Sequence, residues 1–242
     1  MYLTNCRLLP ELSGGVAAEH GCVEIKDGLI AAVLPAAPEG AADVYDCGGM
    51  TLLPGLIDLH THITIMSGVG VDAAQDPMQV MVEASAQAKR YLDYGFTTVR
   101  DCGSIGRCAN YVKRMIDAGV LDGPDIIACG STLMPSVESR MSNFSSIIHF
   151  CDGAEEFRRG VREEIAAQAD FIKIYASGSA FLPTGVPKHP IMTREEIRTA
   201  VETAEANGRY VAAHCHADRA ILDCVRSGVR TIEHATYLSE GT

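Results

Sequence analysis

Four histidines stand where an imidazole can hold a metal ion. In Leu56-Ile57-Asp58-Leu59-His60-Thr61-His62 an apolar run ends in two histidines two residues apart. On an extended strand, residues two apart point the same way, so Asp58, His60 and His62 share a face. Two imidazoles so placed can bind one divalent ion, and zinc is the expected metal because it favours nitrogen ligands of this kind. His214 ends the apolar run Tyr210-Val211-Ala212-Ala213, and His234 follows Thr231-Ile232-Glu233, with a helical pattern between the two. They therefore sit at equivalent ends of successive strands. A lone strand-end histidine is readily explained by packing. Four at strand ends that converge on one face of a parallel fold point to metal.

Lys173 interrupts the apolar strand Asp170-Phe171-Ile172-Lys173-Ile174-Tyr175. A buried ammonium is costly there unless a carboxylate pairs with it or the chain snorkels to an edge. Chemistry supplies another account: desolvation favours the neutral amine, which can add carbon dioxide, and the resulting carbamate has two oxygens able to bridge two ions. Tyr175 shares a strand face with Lys173, and His216 shares one with His214, so both are candidates to line a substrate pocket. Arg140 is a candidate to hold a substrate carboxylate through two parallel hydrogen bonds.

These residues must be positioned by alternating elements. Strands are expected at 55–63, 97–102, 125–130, 170–177, 210–216 and 231–236. Helices are expected between them at 76–94, 108–118, 154–168, 193–207 and 217–227. Thr193-Arg194-Glu195-Glu196 is a capping box and Gly208 a helix stop. Alternating β and α with continuous apolar strands implies a parallel sheet covered by helices. Six βα units are visible, whereas a closed eight-stranded barrel needs ~250 residues. The expected fold is α/β: an incomplete (β/α)8 TIM-type barrel over 54–242, its first six strands, with a small β-sandwich portion over 1–53. In that portion Asp27-Gly28 marks a hairpin turn between strands at 22–25 and 29–33.

Composition narrows the partners. A net charge of −11 over 242 residues argues against nucleic acid, since phosphate binding needs a basic surface. Asn5 and Arg7 break up the N-terminus, so it does not read as a signal peptide, and the apolar run at 29–37 is too short to span a bilayer. Nine cysteines, with no CxxC pair, read as reduced thiols in a core rather than a disulfide framework. The expectations are a cytoplasmic protein with a small-molecule substrate, no nucleic-acid or membrane partner, and homo-oligomers through open sheet edges.

Taken together, Pro54-Gly55-Leu56-Ile57-Asp58-Leu59-His60-Thr61-His62, Gly95-Phe96-Thr97-Thr98-Val99-Arg100-Asp101, Asp170-Phe171-Ile172-Lys173, Val211-Ala212-Ala213-His214 and Ile232-Glu233-His234 resemble the amidohydrolase superfamily, in its imidazolonepropionase-like and prolidase-like branch. The resemblance covers nearly the whole chain. It implies one or two divalent ions: His60 and His62 on one, His214 and His234 on the other, and carboxylated Lys173 bridging. Lys173, His214 and His234 are then the expected catalytic set. It also implies that residues 1–53 form part of a sandwich completed by a C-terminal segment.

The implied reaction is hydrolysis of an amide or other C–N bond, in a dipeptide, N-acyl amino acid or cyclic amide, by metal-activated water. Two departures keep other readings open. The aspartate that relatives carry at the end of the eighth strand has no counterpart here, and Met134-Pro135-Ser136-Val137-Glu138-Ser139-Arg140 stands where relatives have Gly-Gly-His-Gly. The alternatives are a truncated fragment that binds metal without turnover, and a cyclic-amidine deaminase, which would release ammonia.

Overall fold

The computed structural model describes residues 1–65, 76–138, 145–179 and 187–242. The chain divides into two compact units, Met1–Gly55 and Leu56–Thr242.

In the first unit four strands, β1 (Tyr2–Leu8), β2 (Ala18–Lys26), β3 (Leu29–Leu34) and β4 (Val44–Asp46), form one sheet in the order β3-β2-β1-β4. β1–β2 and β2–β3 are antiparallel and β1–β4 is parallel. Asp27 and Gly28 both take positive φ (53° and 74°), the geometry a two-residue hairpin needs to match strand twist. The turn expected there is present, and the Lys26–Leu29 pair closes it. β1 had no clean signature in the sequence because it is bulged: Asn5 lies at φ 52° and the pairing register shifts on either side of Cys6. Cys6, Leu8, Val23 and Cys47 make a small buried core.

The second unit alternates strand and helix. Its strands are β5 (Leu56–Thr61), β6 (Phe96–Asp101), β7 (Asp125–Ala128), β8 (Thr132–Met134), β9 (Ile148–Phe150), β10 (Ile172–Tyr175), β11 (Val211–Cys215) and β12 (Thr231–His234). Its helices are α1 (Pro77–Asp93), α2 (Cys108–Asp117), α3 (Gly153–Ala166), α4 (Arg194–Glu205) and α5 (Asp218–Arg226). Every strand pairing in this unit is parallel, in two sheets ordered β5-β6-β7 and β12-β11-β10-β8-β9. The six strands expected from the sequence are all present. The third, expected at 125–130, is β7; it breaks off there and resumes beyond the expected span as β8, and β9 is a short addition after it. Backbone bonds from Cys129 N to Asp101 O (3.2 Å) and from Asp170 N to Ala128 O (2.8 Å) carry the hydrogen bonding across the split. Among the described residues nothing pairs with the free edge of β5 or β12, and the sheets do not close.

Local sequence explains the elements. Asp76 caps α1 by accepting from Met78 N, Pro77 opens it, and Val80, Ala84 and Ala88 recur every four residues as its buried face. The capping box of α4 forms in both directions between Thr193 and Glu196. Along β10, Ile172 and Ile174 enter the core shared with α3, α4 and α5, so Phe171, Lys173 and Tyr175 face the other way. β11 and β12 obey the same alternation. Ala213, Cys215 and Ile232 pack toward the helices, leaving Ala212, His214 and Glu233 on the inner face.

Candidate metal centre

The inner face collects the histidines. His60, on β5, has its ring centroid 5.4 Å from that of His62 and 4.9 Å from that of His234. His234 is 4.7 Å from His214 and 4.9 Å from His216, and His214 is 4.6 Å from His216. Five imidazoles thus form one continuous cluster contributed by β5, β11 and β12. One donor atom each from His214, His216 and His234 lie within 4.8 Å of one another, close enough to converge on a single cation. The sequence reading gave His216 a substrate-facing place. Its position also offers it as a third nitrogen beside His214 and His234.

Orientation comes from the nitrogens that face away. His62 Nδ1 lies 2.9 Å from Gly103 O, and a carbonyl can only accept, so that nitrogen carries the hydrogen and Nε2 keeps the lone pair. His214 Nε2 makes a long contact, 3.4 Å, to Gly178 O, which frees Nδ1. His216 Nδ1 is 2.8 Å from Thr236 Oγ1, and Ser177 Oγ holds the His216 amide. His234 sits at φ 74°, a backbone conformation rare for a side-chain-bearing residue and common where function demands it. No strand pattern foretold that.

Electrostatics keep the rings neutral. Burial first, then the nearby Lys173 ammonium, pushes the His62 pKa down to about 3 and His214 well below the ordinary imidazole value. Burial, His60 and Lys173 together bring His234 to about 4. A neutral imidazole is the form that ligates.

Lys173 is 1% exposed, and among the described residues no carboxylate forms an ion pair with it. Its Nζ lies 5.9 Å from the centroid of Tyr175, whose ring stacks on His214 at 4.3 Å. It does not snorkel to an edge, and although Asp101 and Glu233 are near enough to feel its charge, neither forms an ion pair with it. Arg140 lies outside the described residues. Asp58 does not join the imidazoles: its Oδ1 accepts from the His60 amide.

Three polar residues given no role from the sequence belong to this region. Asp101, fully buried, accepts from Ile63 N (2.8 Å) and Gly103 N (3.1 Å), and so holds the loops that carry His62 and its carbonyl partner. Burial raises its pKa to about 6. Arg100 and Glu233 meet beneath His60. The signal was available: each, like Lys173, is an ionisable residue within a strand, where burial without a purpose is costly.

A family model described as the amidohydrolase family matches residues 51–241. Ochratoxinase from Aspergillus niger is 26% identical over 215 residues, covering 78% of this chain and 44% of that protein. A solved prolidase complexed with N-methylphosphonate-L-proline superposes with a TM-score of 0.83 at 32% identity, over 99% of this chain and 62% of that one. A Xaa-Pro dipeptidase with methionine in its active site gives 0.85 at 25% identity, again covering 99% and 62%. The chain therefore spans about half the length of the curated relatives it matches and under two thirds of these structures.

Proposed function

Since this chain belongs to the amidohydrolase family, we propose that it carries most of the active site of a metal-dependent hydrolase acting on the C–N bond of a dipeptide or N-acyl amino acid. The supporting observation is the convergence of five imidazoles and a buried lysine, without an ion-pair partner among the described residues, at the inner ends of parallel strands. The arrangement accords with the first six strands of a (β/α)8 barrel. The substrate class follows the relatives named above, an ochratoxinase, a prolidase and a Xaa-Pro dipeptidase.

The donor set suits one or two divalent ions, with zinc the expected metal. His60 and His62 would hold the first, His214 and His234 the second, and Lys173 as its carbamate would join them. When bound, such an ion acidifies a water toward ~7 and polarises the scissile carbonyl. The chain's own residues do the rest. His62 and His214 present lone pairs fixed by Gly103 O and Gly178 O. Tyr175 covers one face of His214 and lines the space above Lys173. His216 stands either as a third nitrogen or toward the substrate.

Metal analysis of the purified chain tests this reading. Bound ion should fall to background in His60→Ala/His62→Ala, and the native mass should exceed the sequence mass by one carbon dioxide. Lys173→Ala should regain metal when small carboxylic acids are supplied. Substoichiometric metal unaffected by the double variant would sink the site.

A second reading, binding without turnover by these 242 residues, has one observation in its favour. Among the described residues near the imidazoles, the carboxylates of Asp101 and Glu233 are already engaged by two and three hydrogen-bond donors respectively. That leaves neither an obvious proton carrier. Turnover of a Xaa-Pro dipeptide or an N-acyl amino acid by the metal-loaded chain would reject it.

A further inference from the structure

Glu233 is 7% exposed on the inner face of β12, and its two oxygens are fully occupied. Oε2 lies 2.7 Å from His60 Nδ1, and Oε1 accepts from Arg100 Nη2 at 2.7 Å and from Thr231 Oγ1 at 2.8 Å. Arg100, also 7% exposed, sends its Nε to the carbonyl of Leu59 at 2.6 Å, and its Nη1 reaches Thr231 Oγ1 at 3.3 Å. Its guanidinium lies 5.4 Å from the Phe171 ring centroid. The contacts form a closed buried network that starts on β6 and β12 and ends on β5, on the backbone just before His60 and on the His60 ring itself.

We propose that Glu233 and Arg100 are positioning residues for His60, acting as a strut across the interior that sets both the tautomer and the tilt of that imidazole. The inference rests on the reading of His60 as a metal ligand. A carboxylate can only accept, so His60 must carry its hydrogen on Nδ1 and turn the lone pair of Nε2 toward His62 and His234. Arg100 fixes the same residue at a second point, through Leu59 O. A ring held at one nitrogen can still rotate with its backbone; held at both places it cannot.

A metal-binding use of the same spot is disfavoured by charge. His60, Cys102 and Glu233 do offer three donor atoms within 4.8 Å of one another. Arg100, however, is permanently cationic and sits on one Glu233 oxygen, so a cation there would face a fixed positive charge at close range. The pair is better suited to orienting a ligand than to being one. Its span matters as well. β5 and β12 are terminal strands of different sheets, and the network links their inner faces with no backbone hydrogen bond between them.

Two measurements on the full chain test the strut. In the metal-free protein, long-range nitrogen–proton NMR should show His60 locked with its hydrogen on Nδ1, and Glu233→Ala should convert it to a mixture of tautomers. In a cobalt titration Glu233→Ala should weaken the His60-dependent equivalent by about 10–100-fold, the usual cost of losing a ligand's outer partner. The same change made on a His60→Ala background should add nothing. Arg100→Lys, which keeps the charge but loses the two-point reach, should weaken binding in the same way to a smaller extent. Because Glu233→Ala could fail to fold, Glu233→Leu, which fills the space but offers no acceptor to His60 Nδ1, provides the same tautomer readout. A locked His60 in a folded Glu233 variant, or an equal loss of cobalt affinity with His60 already removed, would overturn the proposal. If the wild-type chain bound no cobalt, the metal reading would fall, while the NMR measurement would still decide the strut.

Discussion

The ammonium of Lys173 is almost wholly buried and finds no carboxylate partner among the described residues. Asp101 and Glu233 are near enough to feel its charge, but neither forms an ion pair with it, and burial of a charge without a contacting partner costs free energy. We therefore expect Lys173→Met, which preserves length and apolar bulk, to raise the stability of the metal-free chain by about 1–3 kcal/mol. It should at the same time abolish the carbamate mass and the bridged metal. Urea unfolding together with intact mass reports both; an unchanged or lowered midpoint would show that the lysine is adequately compensated where it lies. The histidines around it set a pH dependence. His62 and His214 have folded pKa values below the ordinary 6.5. Below that pH the unfolded chain takes up protons that the folded chain excludes, so stability is full above about 6.5 and falls as the pH drops toward about 3. Each such histidine contributes a slope of up to about 1.4 kcal/mol per pH unit. Denaturation midpoints of metal-free protein between pH 7 and pH 5 should decline accordingly, and His62→Asn should flatten the decline.

At the scale of elements, the third strand shows how a site is shaped by what breaks a regular pattern. β7 pairs with β6 and β8 with β10, and the interruption falls at Cys129-Gly130-Ser131. Gly130 has φ +77°, and a Cβ there would lie 2.6 Å from Glu164 Oε2. That carboxylate, fully buried on α3, takes two hydrogen bonds of 2.8 Å from Arg107 and one from Ser131 N. Gly130 is thus needed twice, for its backbone and for its empty space. Gly208, past the end of α4, has φ +68° with nothing within 4 Å of its would-be Cβ. Gly208→Ala should cost about 1 kcal/mol, the backbone penalty alone, and Gly130→Ala clearly more. Equal losses for the two in urea unfolding would mean that Glu164 yields without cost. The strands and helices themselves were legible because their signals are local: alternation of two, spacing of four, a capping box, an Asp-Gly turn. β1 escaped because a bulge erases those signals, and β4, β8 and β9 because three residues are too few to show them.

For the whole chain the open edges matter most. β5 has no strand on its free side among the described residues, and Leu56, Ile57 and Leu59 are 49, 61 and 58% exposed. Unpaired backbone groups beside apolar side chains template association. As an isolated 242-residue polypeptide the protein should self-associate or need solubilising partners, and light scattering checks this. A stable, clean monomer across the micromolar range would count against it. No helix among the described residues is long and apolar enough to cross a membrane.

The sequence by itself determined which residues could meet. Strand alternation and the βα repeat put His60, His62, Lys173 and His214 on one face at the ends of their strands, because side-chain direction on a strand is a property of the local chain; for His234 they gave the strand end alone, since alternation with Ile232 would turn it to the helix side. Tertiary structure alone decided how they meet. It tied one nitrogen of His62 to Gly103 and one of His60 to Glu233, brought His216 beside His214 and His234, and turned His234 through a left-handed backbone. It also joined Arg100 to Glu233. Those arrangements depend on contacts between residues far apart in the chain and on the curvature of the paired strands, and no local pattern carries either.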